Sequence, residues 1–288
     1  MTTPAPFGLL LDVDGPIASP IERRIVIDSI VDDLLTLAAA DIPIAFITGR
    51  SDAFMREQVV ARLLAGGLDA RAHVFGVFEK GGCWAPVTPQ GLGELEIDHA
   101  LAVPAAVRDA VEGLARERYA DTMFVDKAKH VMISLEASVD VTPAEYQAAQ
   151  SRYQDEVYAL LCGLDLGVRY GDREHPDADG DVPWRIDPTI ISTDVESVQL
   201  DKDRGADRAL DWFAARGVTA ERWWSAGDSR SDYRMADAVH ARGIPVAHLD
   251  VRPAEGMLER EFEVATEPGL VNDAAGAAFL RRRVAQLG

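Results

Sequence analysis

Basic side chains are scarce in this sequence. Lys and Arg together number 29 against 48 Asp and Glu, a formal net charge of -19 at pH 7, and only four of the cations, Lys80, Lys127, Lys129 and Lys202, are lysine. So acidic a chain excludes a nucleic-acid partner, because phosphate backbones are bound by surplus Lys and Arg. An anionic ligand would need a local site of opposite sign. Cysteine is scarcer still: Cys83 and Cys162 lie far apart, which excludes a disulfide framework or a zinc cluster and leaves both as core residues. No segment approaches the roughly 18 consecutive apolar residues of a membrane span, and Met1-Thr2-Thr3-Pro4 carries no basic stretch leading into an apolar one. The expectation is a cytoplasmic protein with no membrane partner. Of the 288 residues 48% are hydrophobic, enough for one large or two modest cores.

Short apolar runs ending in polar turns organise both ends of the chain. Phe7 to Leu11 stops at Asp12-Val13-Asp14-Gly15-Pro16, and Ile42 to Ile47 stops at Thr48-Gly49-Arg50. Ser51 then reads as a helix N-cap, followed by an apolar stripe of Phe54, Val59, Leu63 and Leu64. The pattern recurs at His73 to Phe78, at Arg222 to Ala226 before Gly227-Asp228-Ser229, and at Ile244 to Leu249. Strands alternating with helices predict an α/β fold with a Rossmann-like parallel sheet, built from residues 1–82 and 200–288. Between them, residues 83–199 mix a helix over Ala144 to Leu161 with strands over Val131 to Leu135 and Gly167 to Tyr170. This stretch is expected to form an inserted α+β domain, with a solvated acidic loop at Glu174 to Asp181.

Open parallel sheets bind ligands at the carboxyl ends of their strands. Asp12 and Asp14 lie two apart at one such end, so their side chains share a side if the chain stays extended, and Gly15 allows the sharp turn that follows. One carboxylate can attack while the other carries a proton; the alternative is an Asp-rich turn without chemistry. Thr48, with the backbone N–H groups of Gly49 and Arg50, could hold a phosphoryl oxygen at a helix start, although Thr-Gly is also ordinary turn chemistry. Asp228 and Asp232 stand about one helical turn apart in Gly227-Asp228-Ser229-Arg230-Ser231-Asp232, spacing that suits a divalent ion or, equally, an N-cap. Lys202, where the chain leaves the insertion, would neutralise both an aspartate and a phosphate if it reaches them. No Gly-x-Gly-x-x-Gly follows a strand, which argues against a dinucleotide enzyme.

In this order the four segments resemble the haloacid dehalogenase superfamily of aspartate-nucleophile phosphatases. Its first motif is similar to Asp12-Val13-Asp14-Gly15, its second to Phe46-Ile47-Thr48-Gly49-Arg50, its third to Lys202, and its fourth to Gly227-Asp228-Ser229-Arg230-Ser231-Asp232 with the downstream Met235-Ala236. The insertion falls where the sugar-phosphatase branch carries its large α+β cap. Glu79-Lys80-Gly81-Gly82 stands where that branch often has Asn-Gly-Ala before the cap, and Ala265 to Val271 resembles its last core strand and helix. Pro16 and the three-residue gap from Lys202 to Gly205 depart from the pattern.

The resemblance implies an Mg2+-dependent hydrolase of a small phosphate monoester, most of all a sugar phosphate. Asp12, Asp14, Thr48 and Lys202 would be catalytic, and Gly15, Gly49 and Arg50 would bind phosphate. Asp12, Asp14, Asp228 and Asp232 would hold the metal. Asp12 would form an aspartyl phosphate, and cap residues among Arg152, Arg169, Arg173, Trp184 and Arg185 could touch the leaving group. A phosphosugar mutase, or an inactive binding protein on the same fold, are the alternatives.

Overall fold

The computed structural model describes residues 3–287, so Met1 and Thr2 of the N-terminal stretch lie outside the described residues. The chain divides into two compact units, one formed by the described residues up to Glu96 with those from Asp201 onward, the other by Ile97–Leu200.

In the first unit a single sheet runs in the order Glu263–Ala265, Val246–Asp250, Trp223–Gly227, Gly8–Leu11, Ile44–Ile47, Val74–Phe78, Cys83–Thr88, Gly91–Leu92. The first six strands are parallel. Each of the central ones is buried along its whole length, which is why they read as continuous apolar runs rather than alternating ones. The expected strands are present, each starting one or two residues later than the apolar run begins.

Helices cover both faces. Lys202–Ala214 and Tyr233–Ala241 pack Ala206, Ala209, Phe213, Met235 and Ala236 against Leu10, Ala45, Ile47, Phe75 and Val77. On the opposite face Phe279 of Asn272–Ala285 meets Trp224, ring centroids 5.5 Å apart. Trp223 and Trp224 thus point to opposite faces, as successive strand residues must. After Ser51, which does cap the helix through the Phe54 N–H, the helix contains a π turn at Arg56–Val60. Its wider winding shifts the phase of the apolar stripe. Met55, Val59, Val60 and Leu63 are buried while Phe54 and Leu64 are only half-buried.

The insertion begins later than expected. Residues 83–96 stay with the core, because Cys83–Thr88 folds back antiparallel on Val74–Phe78, with Cys83 opposite Phe78 and Val87 opposite Val74. Glu79 and Lys80 make this reversal in the left-handed region, at φ 50° and 54°. Glu79-Lys80-Gly81-Gly82 therefore turns a core hairpin rather than leading directly into the inserted unit. The sequence signal was the alternation of buried Cys83, Ala85 and Val87 with half-buried neighbours.

The second unit is α+β, a sheet in the order Arg173–His175, Val168–Tyr170, Trp184–Pro188, Ser192–Ser197, Ile133–Ala137, Met123–Val125. Helices Ala105–Arg118 and Pro143–Gly163 lay Val107, Val111, Tyr146, Tyr153 and Val157 on its Ile133, Leu135 and Val195. Thr142 and Glu145 start the longer helix with a reciprocal capping box. The expected acidic loop is partly structured: Glu174 lies in a strand, and Asp177 Oδ1 accepts the N–H groups of Asp179 and Asp181. No described helix is long and apolar enough to cross a membrane.

One core residue couples this packing to pH. His248 is fully buried in Val246–Asp250, with Nδ1 2.7 Å from the Ser225 hydroxyl and its ring 4.2 Å from that of Tyr233. Burial pushes its pKa down to about 4, despite the fields of Asp232 and Asp250. The unfolded chain, protonating His248 near 6.5, then binds the extra proton, so this residue's contribution falls as pH drops from about 6.5 toward 4. Urea unfolding across that window should show His248→Asn losing up to roughly 3 kcal/mol of pH-dependent difference from wild type. Parallel pH profiles for the two proteins would refute it.

Candidate active site

Three consecutive carboxyl ends of the parallel sheet converge. Asp12 follows the Gly8–Leu11 strand and donates its N–H to Ala226 O at 2.9 Å, which fixes it beside the neighbouring strand. Thr48 follows Ile44–Ile47, and Asp228 follows Trp223–Gly227. Lys202 enters from the first turn of its helix, where the Asp201 side chain accepts its N–H. Its ammonium lies 2.5 Å from Asp12 Oδ1, 2.8 Å from Asp232 Oδ1 and 2.8 Å from Ile47 O. The Ile47 carbonyl accepts a hydrogen bond from this ammonium, and the two carboxylates face it as ion pairs. Gly205 makes this approach possible despite its distance from Lys202: a Cβ there would stand 2.4 Å from Ile47 Cγ2.

The carboxylates differ in partners. Asp232 is fully buried, and its Oδ2 accepts the N–H groups of Asp228 and Ser229 and the Ser229 hydroxyl, so it both shapes the turn and faces Lys202. Burial opposes its charge, but Lys202 and these hydrogen bonds hold it below the ordinary carboxylate range. Asp12 goes the other way. Burial, then the field of Asp232, push it well above that range in spite of Lys202. Burial and Asp232 likewise push Asp228 up to about 6, against the pull of Arg252, whose Nη1 lies 3.2 Å from Asp228 Oδ2.

Asp14 parts company with this group. Gly15 takes φ +91°, and the N–H of Ala18 bonds back to Val13 O, so the chain turns directly after Asp14, whose charge still reaches Asp12. A side chain on Gly15 would also bring its Cβ within 2.6 Å of Asp228 Cβ. The carboxylate of Asp14 instead meets Arg50 in bidentate fashion, at 2.9 Å to Nε and 3.1 Å to Nη2. The acidic oxygens within 4.8 Å of one another come from Asp12, Asp228 and Asp232, without Asp14.

Thr48 is fully buried, and its hydroxyl accepts the Arg50 N–H at 3.0 Å, so that amide is engaged within the loop rather than directed at a ligand. The Glu79 and Lys80 N–H groups donate to Arg50 O and Thr48 O, tying the loop to the hairpin turn, and Lys80 Cε lies 3.6 Å from where a Gly49 Cβ would stand. Arg252 escaped sequence reasoning, although it too stands just past a parallel strand, Val246–Asp250. Among the cap arginines, Arg185 is bound to Glu196 and Leu200 O, and Arg173 to Asp155.

The donor set suits a hard divalent cation. It offers only oxygen, two of its three carboxylates are buried and Asp228 is half-buried, and burial, then the field of Asp232, raises the pKa of Asp12 and Asp228.

No protein-family model matches the sequence, and no curated protein matches it. Solved structures do. A haloacid dehalogenase-like hydrolase from Bacteroides thetaiotaomicron superposes with a TM-score of 0.61 at 10% identity, over 97% of this chain and 99% of that one. The chain has the haloacid dehalogenase fold. A trehalose-6-phosphate phosphatase from Aspergillus fumigatus with this fold gives 0.53 at 16% identity, covering 98% and 92% of the two chains. The sucrose-phosphatase from Synechocystis, solved with sucrose and phosphate, gives 0.51 at 14%, covering 98% of each.

Lys202 is the common partner of two buried carboxylates. Lys202→Met should cost about 3–5 kcal/mol, as expected when one side of a buried ion pair is removed. Denaturant unfolding at pH 7 measures this, and a loss below about 1 kcal/mol would show that the carboxylates find other partners.

Proposed function

We propose that this chain is a magnesium-dependent phosphoric monoester hydrolase acting on a small phosphate ester, in first place a sugar phosphate, through an aspartyl-phosphate intermediate on Asp12. The observation that carries the reading is the placement of Asp12. It is a buried carboxylate at the end of the opening strand, held by an ammonium and facing a second carboxylate, Asp228, in an all-oxygen donor set. The names of the sugar-phosphate phosphatases that share the fold support the substrate class.

Asp12 and Asp228 would hold magnesium, with Asp232 keeping the turn that carries Asp228 in place. Bound there, the ion would neutralise phosphoryl oxygens and favour the ionised form of Asp12. An oxygen of Asp12 attacks phosphorus, the bond from phosphorus to the ester oxygen breaks, and Asp14 gives that oxygen a proton. Water then attacks phosphorus, Asp14 takes the water's proton, and the bond to Asp12 breaks to release phosphate. Asp14 must exchange Arg50 for the ester oxygen to do this, which gives Arg50 the task of holding Asp14 between turnovers. Lys202 fixes the rotamer of Asp12, and the Thr48 hydroxyl, which already accepts the Arg50 N–H, has its own proton to offer a phosphoryl oxygen.

Phosphate release from a panel of sugar phosphates, with millimolar magnesium, tests the reading. Asp12→Asn should lower kcat by on the order of 10³-fold or more with an unchanged circular dichroism spectrum, and EDTA should abolish turnover reversibly. Full activity in Asp12→Asn would remove the nucleophile, and full activity in EDTA would remove the metal.

A further inference from the structure

The opposite end of the core sheet carries a second concentration of charge that this chemistry does not use. Arg222 immediately precedes the Trp223–Gly227 strand, and Arg283 lies near the end of helix Asn272–Ala285. Asp228 follows the same strand, so about 15 Å of strand separates the two regions. The Arg222 and Arg283 guanidinium groups lie 4.9 and 4.3 Å from the centroid of the Trp224 ring. With Glu263 and Gln286 they line an open cavity of about 390 Å³.

Arg283 is the anomaly. It is only 8% exposed, yet among the described residues its side chain has no ion pair or hydrogen bond, and its Nε is enclosed without an acceptor. Its sequence neighbour Arg282 is paired with Glu267. Arg222 also has an enclosed Nε without an acceptor, and its one carboxylate, Glu263, stands 3.5 Å away with a side chain 59% exposed. Burial, then the nearby Arg282 and Arg222, push the Arg283 pKa below its ordinary value. Two guanidiniums thus line one cavity with a single carboxylate, Glu263, in a chain where 48 acidic side chains outnumber 29 basic ones. The Arg283 guanidinium stacks on the Trp224 and Phe279 rings but meets no anion, and an oxyanion in the cavity would supply the missing counter-charge.

We propose that this cavity binds a compact oxyanion of the phosphate class between the guanidinium groups of Arg222 and Arg283, with the Gln286 amide as a further donor. Paired guanidinium forks match the tetrahedral array of phosphate oxygens, and two cations favour a dianion over a monocarboxylate. The ion is either free orthophosphate or the phosphoryl group of a small metabolite. The site is independent of the proposed catalysis, since neither arginine touches Asp12, Asp228 or Lys202.

Because the acidic cluster would meet phosphate as well, the readout must be local. The indole N–H resonance of Trp224, assigned by its loss in Trp224→Phe, is followed while orthophosphate or methylphosphonate is added to the full chain in EDTA. A saturable shift is expected with orthophosphate. Arg222→Gln should weaken it at least tenfold while leaving turnover at the wild-type rate. Arg283→Met should abolish it and, having lost an unpaired enclosed charge, melt no lower than wild type without phosphate. If Arg283→Met does not fold, Arg222→Gln decides. A shift with methylphosphonate as well identifies a metabolite's phosphoryl group as able to enter, and a shift with orthophosphate alone restricts the site to the free ion. No saturable shift with either anion, or the same concentration dependence in Arg222→Gln as in wild type, overturns the proposal.

Discussion

The ammonium of Lys202, enclosed between Asp12, Asp232 and the carbonyl of Ile47, is the interaction on which the site depends. It joins three elements distant in sequence: the opening strand, the second strand and the turn that follows Trp223–Gly227. Neither carboxylate could be buried as an anion alone, because leaving water costs each ion several kcal/mol that only a close partner returns. One lysine serves both, and the second aspartate spends its other oxygen on the amides of Asp228 and Ser229. The pair is therefore less a source of stability than a means of keeping charged groups in one geometry.

That economy leaves the site short of positive charge. Three carboxylates meet Lys202 on one side and Arg252 on the other, and burial, then the field of Asp232, keeps the pKa values of Asp12 and Asp228 raised. The acidic cluster can thus receive an anion favourably only if positive charge is brought to it. A divalent ion within the acidic cluster would reverse the local sign while the distant surface charge is screened by salt. The Arg222 and Arg283 pair at the other end of the sheet has the opposite imbalance, cation without anion, and the same physical logic makes it a place for a ligand.

Much of this was legible in the chain. The strands were readable because a parallel strand covered on both faces must be apolar throughout, and the site residues because polar groups that end such strands have few reasons to be there. Lys202 stood out through the scarcity of lysine. Less legible were the hairpin after Phe78, whose alternating pattern was absorbed into the insertion, and the π turn, which shifted the stripe from Phe54 and Leu64 to Met55 and Val60. Arg252 went unnoticed because a single arginine after a strand has many bland explanations and only its distance to Asp228 distinguishes it.

Local rules, then, were enough for what the sequence alone determined: an α/β core interrupted by an α+β insertion, and the strand ends where Asp12, Thr48 and Asp228 stand. Alternation and apolar run length depend only on near neighbours. What the tertiary structure decided was which of these groups meet. It brought Lys202 to Asp12 through the missing Cβ of Gly205, and it set the carboxylate of Asp14 against Arg50. Such pairings depend on sub-ångström clearances between segments far apart in the chain, and no local pattern encodes those clearances.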